Sequence, residues 1–263
     1  MIKLVISDMD GSLLHNDKRL PKDYPKLVEE LSEKGVIMGI ASGRQYANLF
    51  QCFPQVADKM LFISDNGGLI AMGEEILYCE EFLKEQVCEL LRIAEGIADV
   101  TVVLCGRNSA YLLPCSQEVE EQIKKYYALY QFVDDLTMVD DQILKLAFLD
   151  LSKEGSQGNV YTYYRTLSDR YQVVVSAKEW MDICLPSTSK GNAILKIQQL
   201  YDIKSDETMV FGDYLNDLSM MDVAEYSYAM ANAHPDLKKA AHFQCLSNEE
   251  EGVIETIKKM FKV

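Results

Sequence analysis

Short apolar segments alternate with amphipathic ones over the first third of the chain. The apolar runs typical of buried strands are residues 2–7, 36–42 and 60–64. Residues 22–34 carry apolar side chains at helical spacing and end at Gly35, a common left-handed stop, and residues 44–52 are also helix-like. Strands that alternate with helices in this way predict a parallel sheet with crossover helices.

The pattern changes at about residue 82. Residues 82–97 and 117–130 predict helices, 101–105 and 110–114 predict a hairpin, and a helix near 157–168 lies among further apolar strands at 144–151, 171–177 and 180–186. A helix then starts at 187–191, and strand-like runs at 208–213, 226–232 and 242–246 extend the parallel sheet. The pattern therefore predicts an α/β protein with an α+β layer inserted into its first domain.

Composition narrows the class of partner. The chain has 263 residues, of which 48% are hydrophobic, and a formal net charge of −15 with no Lys/Arg-rich run. We therefore expect no nucleic-acid partner, and an anionic ligand would need a metal ion or a lysine placed beside it. No apolar run approaches the roughly 18 residues of a spanning helix, so we expect a cytoplasmic protein without a membrane partner.

The seven cysteines give no sign of a structural site. They are odd in number and show no C-x-x-C spacing, which argues against a disulfide framework and against a zinc site. We expect reduced, mostly buried thiols.

The first strand ends in two acids, Asp8 and Asp10, followed by Gly11. On an extended strand these two side chains would face the same way and repel each other. An EF-hand loop is excluded, because its glycine would be sixth and its twelfth residue an acid, whereas here the glycine is fourth and the twelfth residue is Arg19. A solvated loop with chance acids remains the alternative.

Other predicted strand ends carry complementary groups. Ser42 offers a hydroxyl for a phosphate oxygen, or a helix N-cap. Lys190 at a helix start could contact a bound anion, or be an ordinary exposed lysine. Asp213 and Asp217, four residues apart, offer hard oxygen ligands that suit magnesium, or are helix N-terminal acids. Together they predict a ligand site at the carboxyl ends of one parallel sheet.

These segments resemble the haloacid dehalogenase (HAD) superfamily, specifically the Cof-like type IIB phosphatases with a C2-type cap. The segments that carry the resemblance are DMDGSL (8–13), ASGR (41–44), DNGG (65–68), SKG (189–191), GDYLND (212–217), NAHPDLKKAA (232–241) and NEEEGV (248–253). The resemblance implies a Rossmann-like core, about 1–81 and 187–263, with a cap at about 82–186 that governs specificity. It also implies a Mg²⁺-dependent phosphatase acting on small phosphorylated metabolites, sugar phosphates above all.

The resemblance assigns roles to the acids. Asp8 would be the nucleophile that forms an aspartyl phosphate, and Asp10 the acid and base, with a pKa that crowding by Asp8 and Asp213 would raise. The implied Mg²⁺ ligands are the Asp8 carboxylate, the Asp10 carbonyl and Asp213, with Asp217 orienting or completing the metal shell.

The remaining roles concern the phosphate. The implied phosphoryl contacts are the Met9 backbone, Ser42, the Gly43 amide, Lys190 and Asn216. Asn66 would support the nucleophile loop, and Arg44 would be structural.

Three departures and several alternatives accompany this interpretation. Ser12, Gly68 and Tyr214 stand where the family usually has threonine, alanine and serine. A sugar phosphomutase or a non-catalytic phosphometabolite sensor could use the same residues, whereas a receiver-type module is too small for the insert.

In the cap, Trp180, Arg107 or Arg165 could line a sugar pocket, although ordinary packing explains the aromatic residues equally well. The oligomeric state is left open.

Overall fold

The computed structural model describes residues 1–263, which form two compact units, residues 1–78 with 189–263 and residues 79–188. The strands are β1 Leu4–Asp8, β2 Ile37–Ala41, β3 Leu61–Ser64, β4 Leu69–Met72, β5 Glu75–Cys79, β6 Val100–Gly106, β7 Ala110–Leu112, β8 Tyr130–Phe132, β9 Ile143–Asp150, β10 Gln172–Ala177, β11 Trp180–Cys184, β12 Thr208–Gly212, β13 Tyr226–Ala229 and β14 Phe243–Gln244. The helices are α1 Tyr24–Glu33, α2 Tyr46–Gln51, α3 Lys84–Ala94, α4 Gln117–Tyr126, α5 Gly155–Gly158, α6 Val160–Tyr164, α7 Lys190–Tyr201, α8 Leu218–Met221, α9 Pro235–Ala240 and α10 Gly252–Phe261.

The first unit is built on an eight-stranded sheet in the order β14-β13-β12-β1-β2-β3-β4-β5. The pairs from β14 to β3 are parallel, and β4 runs antiparallel to β3. The predicted parallel-sheet core is therefore confirmed. The sequence pattern did not predict β4 and β5.

Burial explains why the central strands are so apolar. Every residue of β1 and β12 is buried, as expected for parallel strands covered by helices on both faces. Helix α1 buries Tyr24, Leu27 and Leu31 on one face and is followed by Gly35 at φ 76°, which its lack of a Cβ permits.

The second unit contains a six-stranded sheet in the order β10-β11-β9-β6-β7-β8, antiparallel except for the parallel pair β7 and β8. Alternate residues of β9 serve two apolar clusters, Leu146 and Phe148 on one face and Ala147 and Leu149 on the other. This arrangement confirms the inserted α+β layer.

Two helices of the second unit differ from their predictions. Helix α4 ends at Tyr126, and the following residues form β8 instead of continuing the helix. The segment near 157–168 is broken at Asn159, whose side chain and the amide of Val160 both donate to the Asp150 carboxylate. These hydrogen bonds favour two short helices over one.

None of the helices combines the length and the apolar character that crossing a membrane requires.

Candidate active site

The candidate site lies at the carboxyl ends of the central strands of the first unit. Strand β1 pairs with β2 on one side and with β12 on the other, so the chain leaves β1 at the point where the strand order reverses. Ligands of open parallel sheets bind at such a point. Asp8 ends β1, Ser42 follows β2 and Asp213 follows β12.

Three of the predicted acids converge there. Carboxylate oxygens of Asp8, Asp213 and Asp217 all lie within 4.8 Å of one another. Oδ2 of Asp217 accepts hydrogen bonds from the backbone N–H groups of Asp213 (2.9 Å) and Tyr214 (3.2 Å), and this fixes the turn that carries the group. The alternative of chance helix-terminal acids does not explain a cluster in which two buried acids and one half-buried acid come from the ends of two strands.

Lys190 lies against this cluster and is 0% exposed. Its Nζ is 2.6 Å from Oδ1 of Asp8 and 2.6 Å from Oδ1 of Asp217. Burial lowers the pKa of Lys190, but the two neighbouring carboxylates outweigh it and raise that pKa above its usual value. The alternative of an ordinary exposed lysine is therefore wrong. The positive charge of Lys190 is unfavourable at the N-terminus of α7, but the carboxylates of Asp8 and Asp217 compensate for it.

One lysine does not balance three carboxylates. Burial is the main cause that raises the pKa of Asp8 well above its usual value, and Asp217 and Asp213 raise it further against the opposing Lys190. Burial and the charge of Asp217 raise the pKa of Asp213 to about 6, although the Ser12 hydroxyl, which donates to its Oδ1 at 3.2 Å, opposes the shift.

This cluster suits a divalent cation. Oδ2 of Asp8 is buried without a hydrogen-bond partner, and an added positive charge would favour the ionised forms of Asp8 and Asp213, whose pKa values are raised by burial and by the charge of Asp217. Hard carboxylate oxygens are what Mg²⁺ prefers. Gly11, at φ +90°, lies so close that a Cβ there would collide with the Asp213 carboxylate. Glycine at this position therefore lets the loop after β1 pass close to the Asp213 carboxylate.

A pH-dependent stabilisation by Mg²⁺ should follow from the pKa of Asp213. Its folded value of about 6 exceeds the ordinary 3.8, so the metal-free protein gains stability as it takes up this proton when the pH falls through 6. Mg²⁺ must displace the proton, so the melting temperature in Mg²⁺ minus that in EDTA should be larger at about pH 7.5 than at about pH 5. Sodium chloride at equal ionic strength is the control, and a difference independent of pH would contradict the assignment.

Asp10 does not join the cluster, contrary to the expected crowding. Its carboxylate forms ion pairs with Arg44 (2.7 Å) and Lys18 (2.8 Å). Burial would raise the pKa of Asp10, but hydrogen bonds from Arg44 and Lys18 outweigh it and lower that pKa below its usual value. The expected raised pKa is therefore wrong for this conformation, because β1 ends at Asp8 and the strand alternation does not extend to Asp10.

The predicted phosphate contacts surround the same loops. Ser42 is buried, and its Oγ accepts from the backbone N–H of Arg44 at 3.3 Å. It does not cap α2, which begins at Tyr46 after the N-cap Gln45. Met9 is fully buried, and its side chain belongs to the apolar core of the first unit.

Asn66 links two of these loops. Its Oδ1 accepts from Nδ2 of Asn216 at 3.3 Å, and a Cβ on Gly43 would lie 3.1 Å from its Nδ2. Residues 65, 66 and 67 all have positive φ, at 49°, 56° and 108°. Positive φ is costly for the two non-glycine residues, Asp65 and Asn66, and turns of this kind concentrate at functional sites.

The departures from the family pattern leave the cluster intact. Ser12 keeps a hydroxyl and donates it to Asp213. Tyr214 is 58% exposed, and its ring stacks edge-on against His234 with centroids 5.7 Å apart. Gly68 has φ −69°, a value that alanine also adopts.

Packing explains one of the candidate pocket residues of the second unit, Trp180. Trp180 is 7% exposed and packs against the rings of Tyr126 and Tyr127. Arg107 donates to Gln142 at 3.0 Å, and Arg165 is exposed at the start of a short 3-10 turn.

Sequence reasoning missed one feature of the site, the ion pairs of Asp10. The motif around Arg44 does not point to Asp10, which lies 34 residues earlier, so the pattern predicts only a structural role for Arg44. Lys18 lies eight residues after Asp10 in a polar loop, and no sequence pattern there indicates its ion pair with Asp10.

Comparison with known proteins agrees with this geometry. The profile of the haloacid dehalogenase-like hydrolases matches residues 5–257, and the chain belongs to this family. It is 29% identical, over 99% of this chain and 97% of the relative, to 5-amino-6-(5-phospho-D-ribitylamino)uracil phosphatase YbjI of Escherichia coli strain K12. It is 27% identical to HMP-PP phosphatase of Cronobacter sakazakii, over 90% of this chain and 87% of the relative.

A solved structure shares the fold. The HAD subclass IIB sugar phosphatase BT4131 superposes with a TM-score of 0.78 at 21% identity, covering 99% of this chain and 100% of that one. The protein described here is thus an enzyme, a phosphatase of the HAD family.

Proposed function

We propose that this protein is a magnesium-dependent phosphatase that hydrolyses small phosphorylated metabolites through an aspartyl phosphate on Asp8. The observation that carries the proposal is the cluster of Asp8, Asp213 and Asp217, in which the buried Lys190 pairs with Asp8 and Asp217 and one Asp8 oxygen has no partner. A buried, unpaired carboxylate oxygen at a strand end is placed to attack a phosphorus atom.

The cation site would be formed by the carboxylates of Asp8 and Asp213 and the carbonyl of Asp10, with Asp217 holding the backbone of Asp213. When bound, Mg²⁺ would supply positive charge that keeps Asp8 ionised and balances the phosphoryl oxygens. Lys190 would add a fixed charge beside the same carboxylate.

The reaction would have two halves. In the first, Asp8 attacks phosphorus, the bond to the leaving oxygen breaks, and Asp10 gives that oxygen a proton. In the second, water attacks the aspartyl phosphate, its proton passes to Asp10, and Asp8 is released with inorganic phosphate. Ser42, Gly43 and Asn216, with the backbone of Met9, would bind the phosphoryl oxygens.

The substrate class we favour is phosphorylated small molecules of the sugar or sugar-alcohol type. The relative from Escherichia coli is named for a phosphoribityl substrate, and that similarity extends over 99% of this chain. The net charge of −15 disfavours large polyanions such as nucleic acids.

The test is release of inorganic phosphate from a panel of sugar phosphates, sugar-alcohol phosphates, nucleotides and cofactor phosphates, each with Mg²⁺ and with EDTA. We expect release only with Mg²⁺ and fastest from the sugar-type members. A product that is an isomeric phosphate instead of free phosphate would favour a phosphomutase. No turnover of any member by the folded protein would favour a sensor.

Replacing Asp10 should separate substrates by their leaving groups. For Asp10→Asn we expect kcat/KM, which reports the steps up to leaving-group release, to fall about 10²–10⁴-fold for an alkyl phosphate. The fall should be much smaller for 4-nitrophenyl phosphate, whose leaving group needs no proton. Asp17→Asn, an exposed acid in the same loop, is the control. Equal losses on both substrates would count against Asp10 as the acid.

A further inference from the structure

Both carboxylate oxygens of Asp10 are held by cations. Nε of Arg44 donates to Oδ2 at 2.8 Å and its Nη2 donates to Oδ1 at 2.7 Å, while Nζ of Lys18 contacts Oδ1 at 2.8 Å. The two Arg44 contacts form a planar two-point pair, which fixes the direction of a carboxylate as well as its position.

Arg44 is the better anchored of the two cations. Its backbone N–H donates to Ser42 Oγ at 3.3 Å, and its carbonyl accepts from the N–H of Asp65 at 3.1 Å. Its side chain is 29% exposed, whereas that of Lys18 is 62% exposed and makes a single contact with Asp10. The orientation of Asp10 is therefore set mainly by Arg44.

The anchor lies in the loop that would hold the phosphoryl group. Arg44 follows Ser42 and Gly43 directly, so one loop would both bind phosphate oxygens and hold the Asp10 carboxylate. A shift of this loop would move the phosphate-binding groups and the Asp10 carboxylate together. This placement gives Arg44 a task beyond packing.

We propose that Arg44 is a positioning residue that orients the Asp10 carboxylate for the second half of the reaction, the hydrolysis of the aspartyl phosphate. This inference rests on the proposed function. The two-point pair is made by a carboxylate with no proton on either oxygen, the form that accepts a proton from the attacking water. That water's oxygen bonds to phosphorus, its proton goes to Asp10, and the bond from phosphorus to Asp8 breaks.

The proposal assigns the effect of Arg44 to one rate constant. In Arg44→Met the aspartyl phosphate should form from 4-nitrophenyl phosphate within about threefold of the normal rate, since that leaving group needs no acid. Its hydrolysis should slow by about 10–100-fold, the loss expected of a misplaced base. Acid quenching with a radiolabelled phosphoryl group measures both steps, and the labelled fraction of the enzyme at steady state should rise.

Two further variants and one structure separate positioning from mere folding. Arg44→Lys keeps the charge but not the two-point pair, so it should recover only part of the hydrolysis rate. Arg19→Met, an arginine in the same loop as Lys18 that pairs only with Asp17, should leave both rates unchanged. A crystal structure of Arg44→Met should show the Asp10 carboxylate turned away from its original direction, with melting temperature as the check on folding.

Several outcomes would overturn the inference. If the aspartyl phosphate of Arg44→Met is hydrolysed at the wild-type rate or faster, the ion pair only restrains Asp10 in the resting enzyme. Equal slowing of both steps would assign Arg44 to phosphate binding or folding. A wild-type protein that forms no phosphoenzyme from any phosphate ester would overturn the proposed function itself. If the wild type turns over normally and Arg44→Met either leaves hydrolysis unslowed or slows both steps equally, only this inference is overturned.

Discussion

Asp8→Asn should abolish turnover while the protein stays folded. The substitution removes the attacking oxygen, and loss of a nucleophile in a comparable covalent mechanism costs on the order of 10⁶ in kcat. It also removes a buried acid whose own pKa is raised by burial and by the charges of Asp217 and Asp213. We therefore expect no labelled phosphoenzyme, and a melting temperature in EDTA equal to or above that of the wild type.

Asp222→Asn, an exposed acid of the same unit, is the matched control and should keep full activity. Turnover of Asp8→Asn within about 100-fold of the wild type would remove Asp8 as the nucleophile, because no covalent route would then be needed. A large fall in melting temperature would instead show that the hydrogen bond from Lys190 outweighs the repulsion.

Lys190→Met should be the most destabilising single substitution in the site. It leaves the buried Asp8 and Asp217, and the half-buried Asp213, without their one positive neighbour. Removing one partner of a buried ion pair costs about 3–5 kcal/mol in free energy of unfolding. We expect a loss of that size by urea denaturation in EDTA, a smaller loss in Mg²⁺, and little remaining activity.

Lys196→Met is the matched control on the same helix. Lys196 lies over the ring of Tyr78 with its Nζ 4.5 Å from the ring centre, and both residues are half-buried. Loss of a contact of this kind at the surface costs about 0.5–1 kcal/mol. If Lys190→Met lowered the free energy of unfolding no more than this control does, Lys190 would not stabilise the acids in the way that we propose.

Most of the site could be predicted because parallel strands bring their carboxyl ends to one edge. Asp8, Ser42 and Asp213 each follow a short apolar run, and β1, β2 and β12 are neighbours in the sheet. The positions of these groups therefore follow from strand assignment alone. The seven quoted segments added the family, which the profile match over residues 5–257 shows independently.

Side-chain directions beyond the strand ends could not be predicted in the same way. Asp10 lies two residues past the end of β1, where the backbone turns at Gly11 and alternation no longer applies. Its partner Arg44 comes from another loop, and only the folded chain brings the two together. The same limit applies to β8 and to the break at Asn159, where tertiary hydrogen bonds override helical spacing.

The buried cluster also bears on the kinetics of unfolding. Lys190 and Asp8 are 182 residues apart in the chain, and β1 and β12 must pair before the acids meet. Repulsion among the acids therefore arises late in folding, when most of the sheet is in place. A cation that relieves it should slow unfolding more than it speeds refolding. Mg²⁺ would then lengthen the lifetime of the native state as well as serve the reaction.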